Sequence, residues 1–81
     1  MVKVLFFARL RQQLGTGEIS LADFSGSLSA LREVLCEQHP DWSAHLQRDD
    51  IRMALNQELA ESEAVVNAGD EVAFFPPVTG G

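Results

Sequence analysis

The chain has 81 residues, 46% of them hydrophobic, with 12 acidic against 6 basic side chains and a net charge of -6. That length and apolar content suit one small domain with one core, and exclude both a second domain and a disordered chain. The acidic balance argues against nucleic acid and against an anionic membrane surface, because both select basic patches.

Val2 to Phe7 is rich in β-branched and aromatic residues and predicts a strand. Its apolar run is only five residues between Lys3 and Arg9, too short for a signal segment or a bilayer span. Ala8 to Leu14 predicts a short helix that Gly15 stops. Glu18 to Leu21 alternates polar with apolar and predicts a second, partly exposed strand. Ser25-Gly26-Ser27 offers helix N-cap chemistry, and Leu28, Leu31, Val34 and Leu35 then recur on one helical face. Pro40 ends that helix near His39, since the residue before a proline avoids helical backbone. Asp41 to Leu46 reads as a further helical turn. Ile51, Met53 and Leu55 alternate as a third strand, with Asn56-Gln57-Glu58 as its turn. Ala68-Gly69-Asp70 is another turn, and Glu71 to Phe75 the last strand.

Strand, strand, long helix, strand, strand is an α+β plan of two layers, a helix on one face of a mixed four- or five-stranded sheet. A β-grasp sheet, with the first and last strands side by side at its centre, fits the order. The expected division is a domain over 1–75 and an extended, flexible tail over 76–81. Cys36 is the single cysteine, so no intramolecular disulfide can form. A reducing compartment, and hence the cytoplasm, is the expected location.

The tail carries the most chemistry. Pro76 and Pro77 lack backbone N–H groups, so the last strand cannot continue its ladder through them. Their fixed φ sends the chain away in a stiff, extended direction. Val78, Thr79, Gly80 and Gly81 then reach about 13–14 Å when extended. The two glycines carry no side chains, so the end can enter a channel that excludes any larger residue. A carboxylate presented there becomes an electrophile once adenylation makes its oxygen a leaving group. A sulfur nucleophile that displaces AMP leaves a thiocarboxylate. None of this needs a catalytic side chain on the carrier.

The run from Gly69 to Gly81, GDEVAFFPPVTGG, resembles the C-terminal signature of the small subunits of molybdopterin synthase. Val2 to Ala8, followed by Leu10-Arg11, resembles that family's first strand and helix; the middle of the chain, 16 to 50, is less specific. Ala68 stands where an acidic residue would be expected. The resemblance implies a ubiquitin-like β-grasp. It implies that Gly81, presented by Gly80, is adenylated by a ubiquitin-activating-like enzyme that uses ATP, then sulfurated. It implies that the charged tail inserts into the large synthase subunit, in a heterotetramer of two small and two large subunits. There it supplies sulfur for the dithiolene of molybdopterin, made from cyclic pyranopterin monophosphate. No cofactor is expected on this chain itself.

Strand alternation adds a surface. If Val2, Val4 and Phe6 face the helix, Leu5 and Phe7 face away; if Val72 and Phe74 face inward, Ala73 and Phe75 face outward. Leu5, Phe7 and Phe75 therefore gather on an open face near the tail. This is the expected docking surface for the large subunit and the activating enzyme, continued by Pro76, Pro77, Val78 and Thr79. The competing reading folds the helix Ala8–Leu14 over these residues. Arg9 and Arg11 are expected near the same surface, Arg11 as a partner contact.

Other candidates carry less. Cys36 reads as a small core residue with no basic group close enough to activate it. His39 and His45 lack metal-ligand spacing and read as surface residues, and no metal site is expected. The acidic pairs Asp49-Asp50, Glu61/Glu63 and Asp70-Glu71 fall in loops or turns without apolar enclosure. Trp42 reads as a plug at the end of the long helix. No Gly-rich phosphate loop is present, so ATP has no site here. Alternative readings keep the tail but change its use: a carrier for thiamine or another sulfurated product, a modifier that joins Gly81 to lysine, or a binding module with an inert tail.

Overall fold

The β-branched and aromatic side chains at the two ends of the chain draw those ends together. In the computed structural model, which describes residues 1–77, β1 (Val2–Phe6) and β7 (Glu71–Phe75) lie side by side in parallel. Lys3 is opposite Glu71 and Phe6 opposite Phe74. β2 (Glu18–Leu21) pairs antiparallel with the outer edge of β1. β4 (Arg52–Leu55) pairs antiparallel with β7, and β5 (Glu58–Leu59) closes the other edge. The result is a five-stranded sheet in the order β2-β1-β7-β4-β5.

One face of that sheet is covered. Val2, Val4, Phe6, Val72 and Phe74 are fully buried beneath α2 (Leu28–Gln38), which contributes Leu28, Leu31 and Leu35 at helical spacing. Val34, expected on this face, is only half-buried. The helix starts at Ser27, whose hydroxyl oxygen accepts from the Ala30 N–H at 3.0 Å. It stops before Pro40, and the His39 N–H still reaches the Leu35 carbonyl at 2.9 Å. A 3₁₀ turn (Pro40–Trp42) and α3 (Ser43–Leu46) follow. Trp42 does plug the end of the helix: its ring meets Phe6 edge-on at 5.3 Å, and Phe6 stacks on Phe74 at 5.9 Å.

α1 (Arg9–Leu14) sits at the end of the core and buries Leu10 and Leu14 in it. It begins one residue later than expected, because Ala8 takes a left-handed φ of 54° and turns the chain off β1. Three short strands escape sequence reading, β5 and a separate pair. β3 (Gly26–Ser27) pairs with β6 (Val65–Val66), each only two residues long. The third-strand turn is likewise shorter than expected, just Asn56-Gln57, with φ of 52° and 72°. Two successive positive φ values match the twist of a tight hairpin, so Glu58 already belongs to β5. A mixed sheet with its terminal strands central and one helix across it is the β-grasp plan.

Candidate functional site: the open sheet face and the tail exit

Pleating sends alternate residues of the central strands to the uncovered side. Leu5 from β1, Ala73 and Phe75 from β7, Ala54 from β4 and Leu59 from β5 line one shallow apolar hollow, with Phe7 beside them. Phe7 is 48% exposed and Leu59 76%, unusual for large apolar side chains. Gln57 and Glu71 supply the polar rim. The expected trio of Leu5, Phe7 and Phe75 is thus brought together. No residue of α1 lines the hollow, because that helix spends its apolar side on the core. The reading in which it covers these residues is set aside.

Three members were not named from sequence: Ala54, Gln57 and Leu59. Ala54 is opposite Ala73 in register, and the pair lets the floor of the hollow lie low. Alternation from Met53 would have placed Ala54 there. Leu59 belongs to a two-residue strand, too short for periodicity to reveal.

Arg11 does not line the hollow. Its guanidinium lies against Gly17 in the connection from α1 to β2, where a side chain on residue 17 would collide with it. The physical reason is helical phase: Leu10 and Leu14 turn inward, and Arg11 is carried toward the connection to β2. Arg9 is nearer the tail. It borders a small seam with Leu10, Ile51 and Pro76, at the point where the chain leaves β7. Pro76 and Pro77 are half-buried and continue no strand. Val78, Thr79, Gly80 and Gly81 lie outside the described residues.

The remaining candidates sort by contact. Cys36 is a free thiol, partly buried against the core, as expected of a small packing residue. His39 and His45 are half-buried rather than fully exposed, and His39 stacks on Trp42 with centroids 3.8 Å apart. Among the described residues, no group of three or more His, Cys, Asp or Glu is placed to hold a metal ion. No described helix is long and apolar enough to cross a membrane.

The far end of the sheet is organised differently. Asp70 accepts from the Asn67 N–H at 2.8 Å and from the Asn56 side-chain amide at 3.2 Å. Asn56 in turn accepts from the Glu71 N–H at 3.0 Å, and its own N–H donates to the Glu71 carbonyl at 2.7 Å. The Asn67 N–H first, and Asn56 second, hold the Asp70 carboxyl below its ordinary range. The knot fastens the two turns at that end, opposite the tail, and leaves the apolar hollow between.

This geometry has relatives. A protein named molybdopterin synthase sulfur carrier subunit from Haemophilus influenzae is 43% identical over 81 residues, covering 100% of both chains. Its namesake from Escherichia coli is 42% identical over the same full length. Among solved structures, small archaeal modifier protein 1 of Haloferax volcanii superposes with a TM-score of 0.78 at 26% identity, covering 95% of this chain and 97% of that one. Subunit 1 or 2 of the molybdopterin-converting factor complex from Helicobacter pylori superposes with a TM-score of 0.71 at 25% identity, over 99% of this chain and 97% of that one. The ThiS family pattern matches residues 4–81, and the chain belongs to the ThiS family.

Proposed function

We propose that the chain is the sulfur-carrier subunit of molybdopterin synthase. The observation that carries this reading is where β7 delivers the chain: straight off the centre of the sheet into Pro76-Pro77, beside an uncovered apolar hollow. The 42–43% identity to sulfur carrier subunits over the whole length supports it.

The hollow is the docking surface, and the tail is the reactive arm. A large subunit that covers Leu5, Phe7, Leu59 and Phe75 draws residues 78–81 into its own active site. Before that, an adenylating enzyme uses the same tail. The Gly81 carboxylate oxygen attacks the α-phosphate of ATP and pyrophosphate leaves. The terminal sulfur of a persulfide donor then displaces AMP, so that C–S replaces C–O and an acyl disulfide forms; a thiol of the donor system attacks its S–S bond, is oxidised to a disulfide, and leaves the thiocarboxylate on Gly81. Its sulfur is the nucleophile that builds the dithiolene of molybdopterin from cyclic pyranopterin monophosphate. Two small and two large subunits form the working heterotetramer, in the cytoplasm. ATP is held by the activating enzyme and not by this chain.

A second reading is favoured by the likeness to a small archaeal modifier protein. There the same acyl adenylate passes to a lysine amine and forms an isopeptide bond. One assay covers both. Intact mass is measured after incubation with ATP, the adenylating enzyme and a sulfur source. A gain equal to the exchange of oxygen for sulfur supports the carrier; ladders of conjugated protein support the modifier. Deleting Gly81 should abolish either product while the thermal melt stays unchanged. Sulfur transfer that survives the deletion would overturn the assignment of Gly81.

A further inference from the structure

We propose that Arg9 and Arg52 form a cationic collar around the tail exit, which engages carboxylates at the mouth of the protein that receives the tail. The inference rests on the proposed carrier function and adds the chemistry of the partner's entrance.

The chain holds only six basic side chains against twelve acidic ones. Two of the six flank one point. Arg52 opens β4 directly opposite Phe75, the last residue of β7, so the two side chains leave the same face of the sheet. Arg9 opens α1 and borders the seam that holds Pro76. Both side chains are exposed. A third arginine, Arg48, lines the same seam, but Asp50 takes its guanidinium through two hydrogen bonds of 3.2 and 3.1 Å. Arg48–Asp50 is the single ion pair among the described residues, so within them neither Arg9 nor Arg52 is paired with a carboxylate. At the opposite end of the sheet the pattern reverses: Glu58, Asp70 and Glu71 gather where β4, β5 and β7 meet.

The molecule is therefore polarised along its strands. The net charge of -6 repels an acidic partner on the whole, and Arg9 and Arg52 offset that repulsion where the tail leaves. Such a field selects encounters in which the tail leads, and it acts on the rate of association more than on the lifetime of the complex. A basic or neutral entrance would gain nothing from this arrangement. Carboxylates around the entrance are the chemistry that fits.

Stopped-flow association of the full chain with the large synthase subunit, across a series of sodium chloride concentrations, tests this. Arg9→Glu and Arg52→Glu should each slow association several-fold at low salt, and together about tenfold or more, with the curves converging as salt screens the charges. Dissociation should change little. Lys3→Glu alters the net charge equally but sits four residues back along the sheet, opposite Glu71, and should have a much smaller effect. Arg9→Gln and Arg52→Gln should rank the same way with weaker effects, which guards against a folding defect in the reversals. Unchanged rates in the double reversal, or an equal slowing by Lys3→Glu, overturn the collar while leaving the carrier function intact. A wild-type chain that does not bind the large subunit overturns both.

Discussion

Two faces of one sheet carry nearly the same amount of apolar side chain and opposite fates. On the helix side, Val4, Phe6, Val72 and Phe74 are fully buried. On the other side, Leu5, Phe7, Ala73 and Phe75, their immediate neighbours in sequence, line an open hollow. The difference is not hydrophobicity but coverage. A two-layer domain has one helix to spend, and the second face gains its burial only from another molecule. In the proposed reading, folding and docking are written on alternate residues of the same two strands.

Adjacent phenylalanines give the sharpest way to break this comparison. Phe74→Ala should cost about 3–5 kcal/mol of folding stability, because it empties a site packed against Phe6 in the middle of the core. Phe75→Ala should cost roughly 1 kcal/mol or less in a chemical denaturation, since its side chain still meets water. Its effect belongs to binding: about 2 kcal/mol of affinity for the large subunit, read by calorimetry, if Phe75 anchors the hollow. Equal losses of stability in the two variants would show that the open face is core after all. Leu59→Ser sharpens the same point at the rim. At 76% exposure it should leave the melt within about 0.5 kcal/mol of wild type, yet weaken docking by about 1 kcal/mol.

The long regular elements were legible because their period repeats enough to be read. Leu28, Leu31 and Leu35 fix the helix face, and the alternation in Val2–Phe6 and Glu71–Phe75 assigns both faces of the sheet. That was sufficient to predict the hollow. The two-residue strands at Gly26–Ser27, Glu58–Leu59 and Val65–Val66 show no period, so they were invisible, and Leu59 with them. The position of Arg11 against Gly17 was not legible for a related reason. A helix of six residues has too few turns for its phase to be set by pattern, and Leu10 and Leu14 set it by packing. Arg52 was passed over because its place opposite Phe75 is a register no local pattern encodes.

The end of the sheet away from the tail offers a smaller contrast, since it is held by polar groups rather than apolar ones. Asn56→Ala removes the acceptor for the Glu71 N–H and the donor to Asp70, both in exposed positions, and should cost about 1–2 kcal/mol. Gln57→Gly acts in the opposite direction. Gln57 holds φ at 72°, which glycine adopts without steric cost, so the melt should rise by about 0.5 kcal/mol. A loss there instead would mean that the Gln57 side chain, which rims the hollow, contributes more than its backbone strain takes away.

The smallest effect expected is that of Asp70, and its sign is fixed by the direction of its pKa. The Asn67 N–H and the Asn56 amide favour the charged carboxylate in the folded chain, so its pKa lies below that of the unfolded chain. A depressed pKa means that the unfolded state binds the proton more readily. The stabilisation is fully present above the unfolded pKa, and it disappears as pH falls through the lower, folded value. Asp70→Asn, which cannot titrate, should leave the neutral melt slightly lowered and make the fall in stability with acid shallower. The Asp70 side-chain resonance, followed by NMR through the acid range, should titrate below an ordinary aspartate in the wild type. It should move up toward the ordinary value in Asn67→Pro, which removes the stronger donor, and less far in Asn56→Ala, which removes the weaker. The reverse ranking would place the cause of the shift in the side chain and not in the turn.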